Sequence, residues 1–515
     1  MSKQEIVNRY QESVKVKQVL KQIQQDKNQI QITNLVGSSM SFVISETFKK
    51  DDKSYLLVFN DKEEAAYHLN DLEQLLTQKR VLFYPGSYRR PYQIEETDNA
   101  NVLMRSEVLN RINSRKKPAI IVTYPEALFE KVVTKKDLER NTLKLSVSES
   151  VSLDFVNEIL FEYNFNRVDF VTEPGDFSVR GGIIDVFSFS NDEPFRIEFF
   201  GDEIDSIRTF DVETQLSKEK LRKASIMSNV ENKTLQEKRE SFLQYITSNT
   251  VVFIKNSDLL IGKLDKLFGR AESAFSELSK ELNHAKPIDL FCNGSFIQNQ
   301  LSDFTVASFE TYTSGENPII DFVTKAQPPF NKQFDLLIEN LNEYHTKGFT
   351  NYIFCANEQQ AQRFHDIFED AKKEVHYHTI VFPLYQGFID LEEKIVCYTD
   401  HQIFERYHKF RLKNGYAKKQ SITLKELNNL DIGDYVTHID HGIGKFGGLQ
   451  KIDVEGKNQE AIKLIYGDRD ILYVSIHSLH KISKFNGKDG KAPKIYKLGS
   501  GAWKKIKQKT KKRVK

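Results

Sequence analysis

A chain of 515 residues with 39% hydrophobic and 28% charged residues has length for several cores and the make-up of ordinary globular domains. No apolar run approaches the length of a bilayer span, and the opening MSKQEIVNRYQESVKVKQVL is polar and amphipathic, unlike a secretory signal, so a cytoplasmic protein without membrane contact is expected. The net charge of +2 is unevenly spread: residues 484–515 hold 13 Lys/Arg against Asp489 alone, which leaves −10 on the remainder and favours protein partners over a DNA track.

Up to residue 130, short apolar runs alternate with amphipathic ones. IQITNLV, KSYLLVFN, RVLFYPG and AIIVTYP read as buried strands, whereas EEAAYHLNDLEQLLTQ and VLMRSEVLNRINS have helical spacing. Such alternation predicts a parallel sheet flanked by helices. After the first strand a phosphate-binding loop, G-x-x-x-x-G-K-[ST], would cradle a nucleotide. The segment in that place, Gly37-Ser38-Ser39-Met40-Ser41-Phe42, lacks the second Gly and the Lys-Ser/Thr pair, and neither Gly262-Lys263 nor Gly444-Lys445 supplies them. ATP hydrolysis and a bound cofactor are therefore not expected in this chain.

Residues 131–212 turn to β. VDFV, FSVR, GGIIDVFSF and FRIEFF lie between turn-forming Pro174-Gly175, Gly181-Gly182 and Ser190-Asn191-Asp192. Arg180 precedes a Gly pair, and Asp185 sits in an apolar strand where a charge requires a partner or an outward face. The alternating pattern resumes over 213–325, with TVVFIK, PIDLFC and FTVASFE as strands and Asp258 to Ala285 as helix, so a sheet is predicted to be interrupted by an insertion.

A smaller α/β unit follows over 326–410. QFDLLIENLNEYHTKG is helical, TNYIFCA a strand, NEQQAQRFHDIFEDAKKE a helix capped by Asn357, and EKIVCYTDHQIF a strand entering a helix. His365, His376, His378 and His401 have no carboxylate set around them that points to a metal, and Cys292, Cys355 and Cys397 beside apolar runs read as buried thiols. Residues 411–424 form a polar linker. Over 425–483, DYVTHI, GKFGGLQKI, EAIKLIY and ILYVSI predict a small barrel, whose 7 basic and 9 acidic residues disfavour DNA as its ligand. Residues 484–515 predict a basic helix, either a solvated face leading into a next domain or a DNA contact.

Two of these stretches resemble known domains. Glu173 to Ser217 resembles the domain shared by the excision-repair protein UvrB and the bacterial transcription-repair coupling factors. Residues 425–483 resemble the polymerase-interacting domain of those factors and the related CarD-type module. With no phosphate loop upstream, the pair resembles the coupling-factor family rather than UvrB. The resemblance implies a multidomain α/β chain: a degenerate motor-like lobe (1–130 and 213–325) interrupted by a β-rich UvrA-binding domain, then the small α/β domain and an SH3-like, CarD-type barrel. It also implies that stalled RNA polymerase is bound through its β subunit and UvrA is recruited to the lesion. UvrA binding would fall to Arg167, Arg180, Phe177, Asp185 and Phe187, although an internal bridge from Arg180 to Asp185 or Asp176, and a plain core role for Phe187, remain open. Polymerase binding would fall to Glu460, Ala461, Ile462, Lys463 and Leu464, one strand extending a sheet of the partner. The family places ATP, Mg²⁺ and most DNA contact in motor domains not represented here, so the chain reads as an amino-terminal fragment with no small-molecule substrate. The other readings are a CarD-like transcription regulator and a UvrB-related scaffold without catalytic activity.

Overall fold

The computed structural model describes residues 3–76, 81–87, 92, 99–114, 117–212, 214–228, 238–277, 285–309, 317–406, 430–438, 441–454, 457–475, 482–484, 493 and 495–498. The predicted linker 411–424 and nearly all of the basic segment 484–515 lie outside the described residues. The chain divides into two units, residues 1–140 with 230–414, and residues 141–229 with 415–515.

In the first unit, seven strands form a wholly parallel sheet in the order Ile319–Asp321, Gln29–Thr33, Thr305–Ser308, Val251–Ile254, Tyr55–Val58, Ile120–Thr123, Val81–Phe83. Strands from both sides of the β-rich region share this one sheet. YLLV, IIVT and VVFI are buried at every position, as strands covered on both faces must be. Helix Ser39–Lys49 is buried from Ser39 to Phe48, packed against helices Lys3–Glu12, Val14–Ile23 and Lys62–Leu75. Asp61 starts the last of these by accepting the Glu64 N–H at 2.9 Å. PIDLFC is not a strand. Pro287–Leu290 is one helical turn with Pro at its start, where the missing N–H costs nothing, and only Phe291 makes a bridge, to Glu130.

The smaller sheet of this unit runs Thr324–Ala326, Phe388–Asp390, Ile395–Thr399, Thr350–Cys355, His378–Val381. Helices Phe334–Thr346 and Glu358–Asp370 close its core through Leu337, Leu341, Phe364 and Phe368. Asn357 caps the second helix, accepting the Gln360 N–H at 3.0 Å. Cys292, Cys355 and Cys397 are buried free thiols, and burial pushes those of Cys292 and Cys355 up to about 12.

In the second unit, six strands follow the order Ser217–Leu221, Glu203–Phe210, Phe195–Phe200, Ile183–Val186, Asp176–Arg180, Asn166–Arg167, and a separate pair joins Lys223–Met227 to Thr142–Ser146. The β-rich region therefore extends from Thr142 to Met227, beyond the expected limit of 212. Val132–Val133 instead pairs with Arg239–Glu240 in the first unit. The other β module has five antiparallel strands in the order Ile471–Ser475, Lys457–Ile465, Gly442–Val454, Tyr435–His438, Ile482–Lys484. Val436, Phe446, Ile462, Leu464, Val474 and Ile482 fill its core. Among the described residues, no helix is long and apolar enough to cross a membrane.

Candidate functional site: two β surfaces and a vestigial nest

One face of the six-stranded sheet is organised by a buried carboxylate. Strand register places Ser178, Asp185, Arg196, Arg208 and Lys220 side by side across five strands. Asp185 is fully enclosed, and Arg196 grips it with Nε at 2.7 Å and Nη2 at 2.8 Å, a two-point match of planar groups. Arg180 Nη2 reaches the same carboxylate at 2.5 Å. Arg180 therefore does bridge to Asp185, yet 42% of its side chain stays exposed, against 16% for Arg196. Aromatic rings support both guanidinium groups: Phe170 lies 5.1 Å from that of Arg180 and Phe210 4.6 Å from that of Arg196. The hydrogen bonds to Asp185 hold the Arg196 guanidinium above its ordinary pKa.

Further along this face Glu198 accepts Arg208 at 2.5 Å and Ser206 at 3.0 Å. Phe200 follows at the hairpin tip. Alternation with buried Phe195, Ile197 and Phe199 puts Arg196, Glu198 and Phe200 on the outward side, and Phe200 is 85% exposed. The two-residue turn after it uses Gly201 at φ +62°.

Three of the expected residues are placed differently from Arg180. Phe177 and Phe187 are fully enclosed, Phe177 edge-on to Phe161 and Phe187 clustered with Val171 and Phe210, so neither ring presents a surface. Phe177 is core because its strand position points away from the Asp185 side, whereas Phe187, two residues past Asp185, is covered by Val171 and Phe210. Arg167 is exposed but pairs with Phe177 in register, which puts it on the side opposite Arg180. Arg196 and Phe200 were missed by sequence reasoning. The available signal was FRIEFF itself, whose alternation sets Arg196 outward on a strand that neighbours Asp185.

In the five-stranded module the strand Lys457–Ile465 is not an edge over its second half. Residues 461–465 pair with Gly442–Val454 on one side and with Ile471–Ser475 on the other, so their main chain has no free side to extend a partner's sheet. Ala461, Ile462 and Leu464 are fully buried, and Lys463 is half-buried. The Glu460 main chain pairs with Lys451. Lys457 to Glu460 pairs on one side alone among the described residues, forming a two-stranded arm with Lys451–Val454. Beyond it, Ile471–Ser475 forms one edge of the sheet, the other edge being Ile482–Lys484. Its outward residues Ile471 and Tyr473 are 46% and 42% exposed, beside Ile465 and Lys463 in register.

The segment after the first lobe strand is the place of the missing phosphate loop. Gly37 takes φ +56°, and helix Ser39–Lys49 begins just after it. The Ser38 N–H donates to the Gln386 carbonyl at 3.1 Å, while the Ser38 hydroxyl accepts the Gln386 N–H at 3.0 Å. Chain atoms thus occupy the approach to the helix start. Among the described residues no group of three or more His, Cys, Asp and Glu could hold a metal ion.

These surfaces define a multidomain α/β chain carrying two specialised β modules, and both modules match known families. Residues 143–231 match the family described as UvrB interaction domain, and residues 430–486 match the CarD-like/TRCF RID domain. Over nearly all of its length the chain is similar to transcription-repair-coupling factors. That of Bacillus subtilis (strain 168) is 25% identical over 93% of this chain and 47% of its own length. Those of Staphylococcus haemolyticus (strain JCSC1435) and Staphylococcus aureus (strain NCTC 8325 / PS 47) are 25% and 26% identical, over 94% and 95% of this chain and 47% and 48% of theirs. The chain spans about half the length of the curated relatives it matches.

Proposed function

We propose that the chain couples transcription to nucleotide-excision repair by docking two protein machines, UvrA on the six-stranded sheet and RNA polymerase, through its β subunit, on the five-stranded module. The observation that carries this reading is that Arg180, Arg196 and Phe200 share one face of the sheet. A buried carboxylate orients two arginine forks on the face that also carries an aromatic ring left almost wholly in water. Oriented Arg and an exposed aromatic side chain are the residue types that dominate protein interfaces. Restraining the guanidinium groups beforehand lowers the ordering cost of association.

For the polymerase, the outer edge of Ile471–Ser475 and the arm through Glu460, each paired on one side among the described residues, suit sheet extension, with Ile471, Tyr473 and Lys463 as side-chain anchors. This moves the contact from the Ile462 and Leu464 side chains, which belong to the core, to the neighbouring edge. ATP-driven translocation would be the task of a motor separate from these residues, which contact DNA little if at all.

Calorimetric titration of purified UvrA tests the first surface. Arg180→Ala and Phe200→Ala should each weaken binding at least about tenfold, the scale of a 1.4 kcal/mol interface contact, while the chain stays folded. Affinity unchanged in both variants would reject the sheet face as the UvrA surface.

A further inference from the structure

We infer that the vestigial nest at Gly37 and Ser38 is a latch that locks the small α/β sheet to the lobe, with the segment Tyr385–Gly387 standing where a nucleotide phosphate would bind. A helix start offers unpaired N–H groups and a partial positive charge, which an anion or another acceptor must satisfy. Here the acceptor is the Gln386 carbonyl, and the Ser38 hydroxyl returns the bond to the Gln386 N–H. The exchange is reciprocal, so either partner alone is left with buried, unmatched groups.

Further contacts hold both sides of this exchange. The buried Asp71 carboxylate accepts the Tyr385 N–H at 3.0 Å and the Ser41 hydroxyl at 3.4 Å, and Ser41 Oγ lies 2.8 Å from His68 Nδ1. The Tyr385 ring stacks on Tyr67 with centroids 4.2 Å apart and planes 10° from parallel. On the other side, the Gly387 N–H donates to Gln402 Oε1 at 2.7 Å, tying the segment back to its own sheet.

Steric fit is equally close. A Cβ on Gly37 would stand 3.0 Å from the carbonyl oxygens of both Gln386 and Gly387, and one on Gly387 would collide with Gln327 and the Cys397 carbonyl. Glycine at both positions is thus required by close approach of backbone to backbone, with left-handed φ as a second requirement at Gly37. A loop kept open for nucleotide would not be filled to this density by the chain's own main chain. By this contact the lobe and the small sheet are held together as one part of the scaffold.

Hydrogen exchange on the full 515-residue chain tests the latch. Residues 384–387 should exchange at least about 100-fold more slowly than unstructured peptide, and adding millimolar Mg-ATP should change nothing. Ser38→Ala, which removes one hydroxyl, and Tyr385→Ala, which removes the ring stack, should each speed exchange there at least about tenfold, with the strands at 183–186 and 195–200 unaffected. Exchange at 384–387 that is fast in the wild type, indifferent to both substitutions, or accelerated by Mg-ATP would overturn the proposal.

Discussion

Asp185 touches no solvent, yet it fixes where two arginines stand. Asp185→Asn keeps the shape but removes the charge that holds both forks. Loss of charged hydrogen bonds of this kind should lower stability by about 1.5–3 kcal/mol in chemical denaturation and weaken UvrA binding together with it. Phe200→Ala separates the two effects, because a side chain 85% exposed supports little folding. Its denaturation midpoint should stay within about 0.5 kcal/mol of wild type, and a large stability loss would show that the ring is structural. At this scale the sequence was partly legible. Arg180 stood out before its Gly pair, and the charge inside IIDV announced a missing partner. That partner, Arg196, lies 11 residues away, and only the antiparallel register makes the two neighbours. Phe177 looked like a contact residue because strand periodicity names two faces without saying which one faces water, and Phe187, whose core role was left open, is buried by Val171 and Phe210, which no local strand pattern places beside it.

Elements followed the sequence closely where helices or paired strands cover both sides. Continuous apolar runs gave the parallel strands, and the cap at Asn357 marked its helix start. PIDLFC failed because a short apolar run is ambiguous and its proline favours a helical first turn. In the five-stranded module the strand EAIKLIY was recognised, but its place between two neighbours depends on long-range pairing that no local pattern carries. Ile462→Ala should therefore destabilise that module by about 2–5 kcal/mol, measured by thermal or urea unfolding. Ile471→Lys should leave it folded and reduce polymerase binding. At the latch, Asp71 and His68 oppose each other in pH dependence. Burial raises the Asp71 carboxyl from 3.8 to about 7 and lowers His68 from 6.5 to about 3. The raised carboxyl contributes most below about pH 4 and loses its contribution as pH rises towards 7, whereas the depressed imidazole contributes above 6.5 and loses it as pH falls towards 3. Their slopes offset between about pH 4 and 6.5. His68→Gln removes one of them, so the cost of the substitution relative to wild type should grow as pH rises from about 4.5 to 6.5 in urea unfolding. A cost that shrinks over this range would contradict the assigned directions.

For the whole molecule, the acidic body and the two separate β modules suit a chain that works by holding other proteins. Independence of the two surfaces is the expected signature: Arg196→Ala should impair UvrA binding and spare polymerase, while Ile471→Lys should do the reverse. Measured nucleotide turnover of the purified chain should be nil, since the nest is filled by Gln386. The most direct test is a co-sedimentation experiment with purified UvrA, RNA polymerase and this chain. A single bridged species containing all three, formed only when the chain is present and without added nucleotide, is the predicted result. Binding of either machine that expels the other, or of neither, would contradict the account.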